Sequence, residues 1–262
     1  MKLTFAALML LVIGCTGSQK NAELNMPGVY KMVSLSIKTD KTDSAYSNTD
    51  QLKIYTDDYM MYANINTPDS VSGFGIGSYT VSKDTVTENV IYMANDTSFS
   101  EKPASYNLAI KKTEKGYQQL IIGMQNQAGD KMDMTESYES TGLPVTTPLD
   151  GAWRMVKRYQ VKGKDTTFNK ASQYKTFYAG YCMWGNNWKD SLNKTHTGIG
   201  YGKFTMTGNN KIKESMMVST YAEVRGHDFD IDIELMGKDG FKQTMVDPDG
   251  SIAVEIYERL KK

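Results

Sequence analysis

The sequence predicts an all-β protein: two tandem, small antiparallel up-and-down β-barrels behind an N-terminal signal segment. Three observations point there. The chain repeats itself, its apolar residues alternate at the period of a strand, and no segment carries a helical apolar stripe. The repeat is the strongest of the three. Gly28-Val29-Tyr30-Lys31-Met32-Val33 returns as Gly151-Ala152-Trp153-Arg154-Met155-Val156, an offset of 123 from residue 28 to residue 151. Later matches keep the same order with offsets that drift by only a few residues, which is duplication with loop insertions and deletions.

Taken in order, Met1-Lys2-Leu3, an apolar run from Phe5 to Ile13 and then Gly14-Cys15 form a secretory signal too short to span a bilayer. Leu11-Val12-Ile13-Gly14-Cys15 resembles the bacterial lipobox. That resemblance implies a signal peptide over 1–14, lipidation at Cys15, a lipidated tether over 15–26 and membrane attachment through the lipid. The polar stretch Thr16 to Asn21 suits a tether. A first barrel is expected over 27–141, a proline-bearing linker over 142–149 and a second barrel over 150–262.

Each copy contains a tight hairpin, with Asp57-Asp58 turning Gln51–Tyr55 into Tyr59–Tyr62 and Ala179-Gly180 turning Gln173–Tyr178 into Tyr181–Trp184. Next come alternate glycines, Gly73, Gly75 and Gly77 against Gly198, Gly200 and Gly202. They precede strand formers and not a helix, so they are no dinucleotide fingerprint. On one face of a strand they leave a bare strip where the sheet can bend or a large side chain can lie. Phe229 to Leu235 alternates strictly and Ile252 to Tyr257 closes the chain. Roughly eight to ten short strands per copy, with strong first and last strands able to pair, favour a closed barrel over a sandwich.

Composition removes several function classes. Thirty basic residues balance thirty acidic ones, so no electrostatic footprint for nucleic acid exists. With Cys15 taken up by the lipid, Cys182 is the sole free cysteine, which excludes an intrachain disulfide and suits a small buried residue. His196 and His227 lack metal-ligand spacing. No nucleophile elbow, P-loop or spaced carboxylate pair occurs, so neither a metal, a cofactor nor a catalytic residue is assigned.

Polar residues that recur in both copies are the internal clue to a site. They are Lys53 and Lys175, Glu88 and Glu214, Gln119 and Gln243, Glu136 and Glu255, Tyr59 and Tyr181, and Tyr138 and Tyr257. Two roles fit them: the polar floor of a ligand cavity, or a structural network. Trp184, Trp188 and His196 distinguish the second copy and make it the better candidate for binding. Seventeen Met and seventeen Tyr suit either an adaptable lining or a filled core. A pocket of about 300 Å³ or more, lined by Tyr181, Met183 and Trp184, is the expectation under the binding reading.

Gly151-Ala152-Trp153 on the first strand and Arg259 at the end of the last resemble the calycin signature of lipocalins, which implies a Trp153–Arg259 pair at the closed end. Tyr181-Cys182-Met183-Trp184, the glycine triplet with Phe204-Thr205, and Lys211-Ile212-Lys213-Glu214 resemble lipocalin-like domains of Bacteroidota lipoproteins. The first copy departs, with Tyr30 for the tryptophan and Ser140 for the arginine, so its closed end should be built differently. Ile256-Tyr257-Glu258-Arg259 resembles the last strand of fatty-acid-binding proteins, except that Glu255 stands where those hold an arginine. A carboxylate there argues against free fatty acids. The resemblance implies a lipid-anchored protein of the bacterial outer membrane facing the periplasm. It would hold a small, partly apolar ligand, or serve as a non-catalytic module for an envelope protein or glycan.

Overall fold

The structure, a computed structural model, describes residues 24–47, 49–65, 72–95, 98–125, 129–168, 170, 172–247 and 249–262. The signal segment and Cys15 lie outside them. The first half carries β1 (Gly28–Thr39), β2 (Asp43–Ser47), β3 (Gln51–Tyr55), β4 (Tyr59–Asn64), β5 (Gly73–Ser82), β6 (Thr85–Asn95), β7 (Phe99–Ser100), β8 (Ala104–Lys112), β9 (Gly116–Gln125) and β10 (Lys131–Ser140). The second carries β11 (Gly151–Lys162), β12 (Asp165–Phe168), β13 (Ser172–Tyr178), β14 (Tyr181–Lys189), β15 (Thr195–Gly208), β16 (Lys211–Ser219), β17 (Asp228–Leu235), β18 (Gly240–Val246) and β19 (Ile252–Arg259). No helix occurs among the described residues.

Each half closes on itself. In the first, β10 pairs back onto β1, with Leu35 opposite Glu136; in the second, β19 pairs onto β11, with Arg158 opposite Glu255. Closure leaves eight principal strands in each barrel and removes the sheet edges that would otherwise invite aggregation. The short strands β2, β7 and β12 continue β3, β8 and β13 across breaks. Irregularities repeat with the sequence. The β1–β10 register shifts between Met32 and Ser34, and the β11–β19 register between Met155 and Lys157. Conserving a bulge through duplication fixes where each barrel bends.

The glycine triplets explain themselves in this geometry. A Cβ on Gly75 would meet the Tyr62 ring at 2.5 Å, and one on Gly200 the Trp184 ring at 2.4 Å. Gly77 and Gly202 sit at register shifts, where a Cβ would come within 2.1 Å of backbone oxygen on the next strand. Both roles inferred from the sequence are therefore present: room for a ring and a sharp bend.

Five aromatic positions recur inside the closed ends: Tyr30, Tyr55, Tyr79, Tyr117 and Tyr138 in barrel 1, and Trp153, Phe177, Phe204, Phe241 and Tyr257 in barrel 2. Trp153 donates to the Leu149 carbonyl at 2.8 Å under the Arg259 guanidinium, which lies 4.0 Å from its ring centre. Gly151 is held at φ +141, and a Cβ there would strike the guanidinium. Tyr30 donates to Met26 at 3.0 Å, so the same bond survives without the tryptophan or the arginine.

A third apolar cluster fuses the barrels. Leu52, Ile54, Met61, Phe74, Ile76 and Tyr92 from the outer face of barrel 1 pack on Tyr181, Met183, Ile199 and Tyr201 from the outer face of barrel 2. Phe74 fills the hollow over Gly185, where a Cβ would lie 2.4 Å from its ring. Polar contacts frame the seam, among them Thr197 to the Asn95 carbonyl at 2.6 Å and Tyr59 to the Lys261 carbonyl at 2.7 Å.

Candidate functional site

Alternation along β13 sends Gln173, Lys175 and Phe177 inward; Glu214 on β16, Gln243 on β18, and Glu255 and Tyr257 on β19 meet them. Lys175 Nζ lies 2.6 Å from Glu214 and donates to Gln243 Oε1 at 3.0 Å. Gln243 donates to Glu255 at 2.7 Å, and Tyr257 donates to the same oxygen at 2.6 Å. Gln173 donates to both Glu255 and Tyr257, and receives a bond from Asn186 at 3.1 Å.

Barrel 1 holds the same chain of contacts. Lys53 donates to Glu88 at 3.1 Å and to Gln119 at 3.2 Å; Gln119 donates to Glu136, as does Tyr138 at 2.8 Å, and Gln51 reaches Tyr138. All these side chains are buried. A buried charge needs both a counter-charge and hydrogen bonds, and each network supplies them. Repetition of the whole network, not of one pair, explains why these residues recur in the sequence.

Two of the recurring residues and one further candidate do not join it. Tyr59, Tyr181 and Met183 face outward into the seam between barrels, because they fall on the opposite parity of their strands from Trp184. They are removed from the set of cavity-lining residues. Trp184 does border the cavity, beside Gln173, Lys175, Asn186, Glu214 and Tyr221. The cavity measures about 160 Å³, smaller than the pocket expected from the sequence.

Three differences separate the two interiors. Arg158 occupies the position of Leu35 and reaches Glu255 with its Nε at 3.5 Å. It balances the second barrel's two carboxylates with two cations, whereas among the described residues Lys53 is the one cation facing Glu88 and Glu136. Burial accordingly raises the Glu136 carboxyl above its ordinary range, against the pull of Lys53. Phe177 takes the place of Tyr55, whose hydroxyl donates to Glu88. Glu214 Oε1 is left with the Lys175 ammonium, at 2.6 Å, and without the tyrosine hydroxyl that Glu88 Oε1 also receives.

Chemically the floor is fixed and not reactive. Burial acts to lower the Lys175 ammonium, but Glu214, Cys182 and Glu255 outweigh it and hold its pKa above the usual value. A protonated amine is neither nucleophile nor base. Burial also pushes the Cys182 thiol well up, which leaves it inert. Among the described residues no group of three or more His, Cys, Asp or Glu is placed for a metal.

A second space lies nearby, sharing Arg158 with the cavity. Trp184 stacks on Tyr221 at 5.8 Å, Tyr221 leans on Trp188 at 6.1 Å, and Trp188 stacks on His196 at 5.5 Å. Trp188 borders a groove of about 400 Å³ with Phe99, Lys157, Arg158, Lys170 and Lys189. The groove lies where the β11 ladder is broken between β12 and β13. Arg158 borders both spaces.

Fold and site define a class: a tandem pair of closed eight-stranded barrels with buried ionic floors, the second bordered by a small, partly open cavity. No protein-family model matches the chain, and no curated protein matches it. Among solved structures, a protein of unknown function of the DUF3598 family from Nostoc punctiforme is 11% identical, over 89% of this chain and 96% of that one, with a TM-score of 0.25. A tryptophan-to-alanine variant of transferrin binding protein B from Haemophilus parasuis is 9% identical, over 89% of this chain and 67% of that one, also with a TM-score of 0.25. Scores that low carry nothing about ligand or partner.

Proposed function

We propose that this chain is a lipid-anchored envelope protein of the lipocalin-like kind, and that its second barrel binds a small, partly apolar molecule. The cavity of about 160 Å³ carries this reading, because it sets an aromatic and methionine wall against a polar floor. A merely structural network has no need of a gap beside Glu214. The anchor is assigned to Cys15 and the site of action to the periplasmic side of the outer membrane, on the sequence resemblance alone. Native mass spectrometry of protein purified from its own host tests the binding reading. A small molecule released on denaturation supports it; a bare polypeptide contradicts it.

A second reading has its own observation. Among the described residues, the groove bordered by four basic side chains, Trp188 and Phe99 has no acidic residue in its lining, although the chain as a whole is neutral. Such a surface suits an acidic glycan partner in the envelope, held by charge and by ring stacking. Binding of an acidic oligosaccharide that weakens steeply with salt, and that survives blocking of the cavity, would favour this alternative.

A further inference from the structure

We propose that the ligand of the second barrel is a single six-membered ring bearing a hydroxyl group, and that this hydroxyl donates a hydrogen bond to the Glu214 carboxylate. The inference rests on the binding reading above and adds the chemical class.

Barrel 1 shows what the site in barrel 2 lacks. There the Tyr55 hydroxyl donates to Glu88, closing the carboxylate's hydrogen bonding from within the fold. The equivalent ring in barrel 2 is Phe177, and its setting is the same. Tyr55 meets Tyr79 edge-on at 4.9 Å, and Phe177 meets Phe204 edge-on at 4.8 Å. The donor is gone while its acceptor stays, only 4% exposed, on the border of a cavity. Glu88 Oε1 takes both Lys53 and Tyr55, whereas Glu214 Oε1 keeps the Lys175 ammonium and lacks the hydroxyl, so a second donor has a place there.

Size and wall limit the donor. A cavity of about 150 Å³ takes one benzene ring, so this one, at about 160 Å³, takes one ring and not two. Trp184, Tyr221 and Phe229 offer flat apolar faces, and Met216 and Met245 adapt to the ring edge. Burial pushes Tyr221 up to about 12, so it stays a neutral phenol. Gln173, Gln243 and Lys175 can meet further hydroxyls. With Lys175 and Arg158 balanced against Glu214 and Glu255, a neutral ligand adds no unpaired charge. Phenols and pyranoses share this chemistry.

Calorimetry on the full chain, with p-cresol, toluene, D-glucose and D-galactose as probes, tests the assignment. Either p-cresol or a hexopyranose should saturate one site per chain, and which one binds tells phenol from sugar. Phe177→Tyr supplies the missing hydroxyl internally and should weaken binding about tenfold to hundredfold, the worth of one hydrogen bond to a charged group. Glu214→Gln should weaken it in the same direction, and Tyr55→Phe in barrel 1 should leave it unchanged. Toluene binding as tightly as p-cresol, or Phe177→Tyr binding like wild type, overturns the proposal. If host-purified protein carries a molecule without a hydroxyl, the hydroxyl assignment fails while the binding reading stands. If no probe binds and the host protein is empty, both fall.

Discussion

Removing the Lys175 ammonium should cost the second barrel several kilocalories per mole. In Lys175→Met the stem packs much as before, but Glu214 loses a cation at 2.6 Å and Gln243 loses its donor at 3.0 Å. Both members of the ion pair are almost wholly enclosed, with side chains 3% and 5% exposed. Breaking such a pair from one side costs about 3–5 kcal/mol, since the remaining charge stays buried. With a urea slope of about 2–3 kcal/mol/M, the midpoint should fall by roughly 1–2 M. Trp153, Trp184 and Trp188 are the chain's three tryptophans, so their fluorescence reports on the second barrel. Lys175→Met with Glu214→Leu should recover most of the loss, because an apolar pair of similar volume is close to neutral there. Lys211→Met, at the solvent-exposed pair with Asp232, should leave the midpoint unchanged. A loss below about 1 kcal/mol for Lys175→Met would mean that water reaches the pair, and the buried floor would have to be abandoned.

Other outcomes follow from the same geometry. The Glu136 carboxyl titrates above its unfolded value, so barrel 1 is most stable with it protonated. That stability is lost as pH rises from about 4.3 towards the raised folded pKa. Hydrogen exchange in β9 and β10 should quicken across that window in wild type and not in Glu136→Gln. Gly185→Leu places a side chain where the Phe74 ring lies and should cost about 1–3 kcal/mol through overpacking, with a more extended particle by small-angle scattering. An unchanged profile would show that the barrels are not fused at that seam. For the anchor, protein from host cells fed a labelled fatty acid should carry label in wild type and none in Cys15→Ser.

What the sequence made legible, and what it hid, divides along physical lines. Duplication exposed the network, because Lys53, Glu88, Gln119, Glu136 and Tyr138 each have a counterpart whose side chain is locked to the others. Gln51 and Gln173 stood at the head of both hairpins and join that network, yet one residue type at a strand's start is weak notice on its own. Tyr181 and Met183 misled because β14 is buried on both faces, one in its barrel and one in the seam. A strand covered on both sides reads as a continuous apolar run and hides its parity. Arg158 could have been found at an offset of 123, where a charge replaces Leu35 in an otherwise apolar position. The cavity's size was out of reach, since it depends on how ring volumes add up across strands far apart in the chain.

The central claim is that Glu214, beside a cavity of about 160 Å³, lacks the tyrosine hydroxyl that Glu88 receives in the first copy, and that a ligand hydroxyl takes its place. A crystal structure of protein purified from its own host tests this most directly. The account predicts ring-sized non-protein density between Trp184, Tyr221 and Glu214, with none beside Glu88. Water alone against Glu214, side chains collapsed across the gap, or density in the first barrel instead would contradict it.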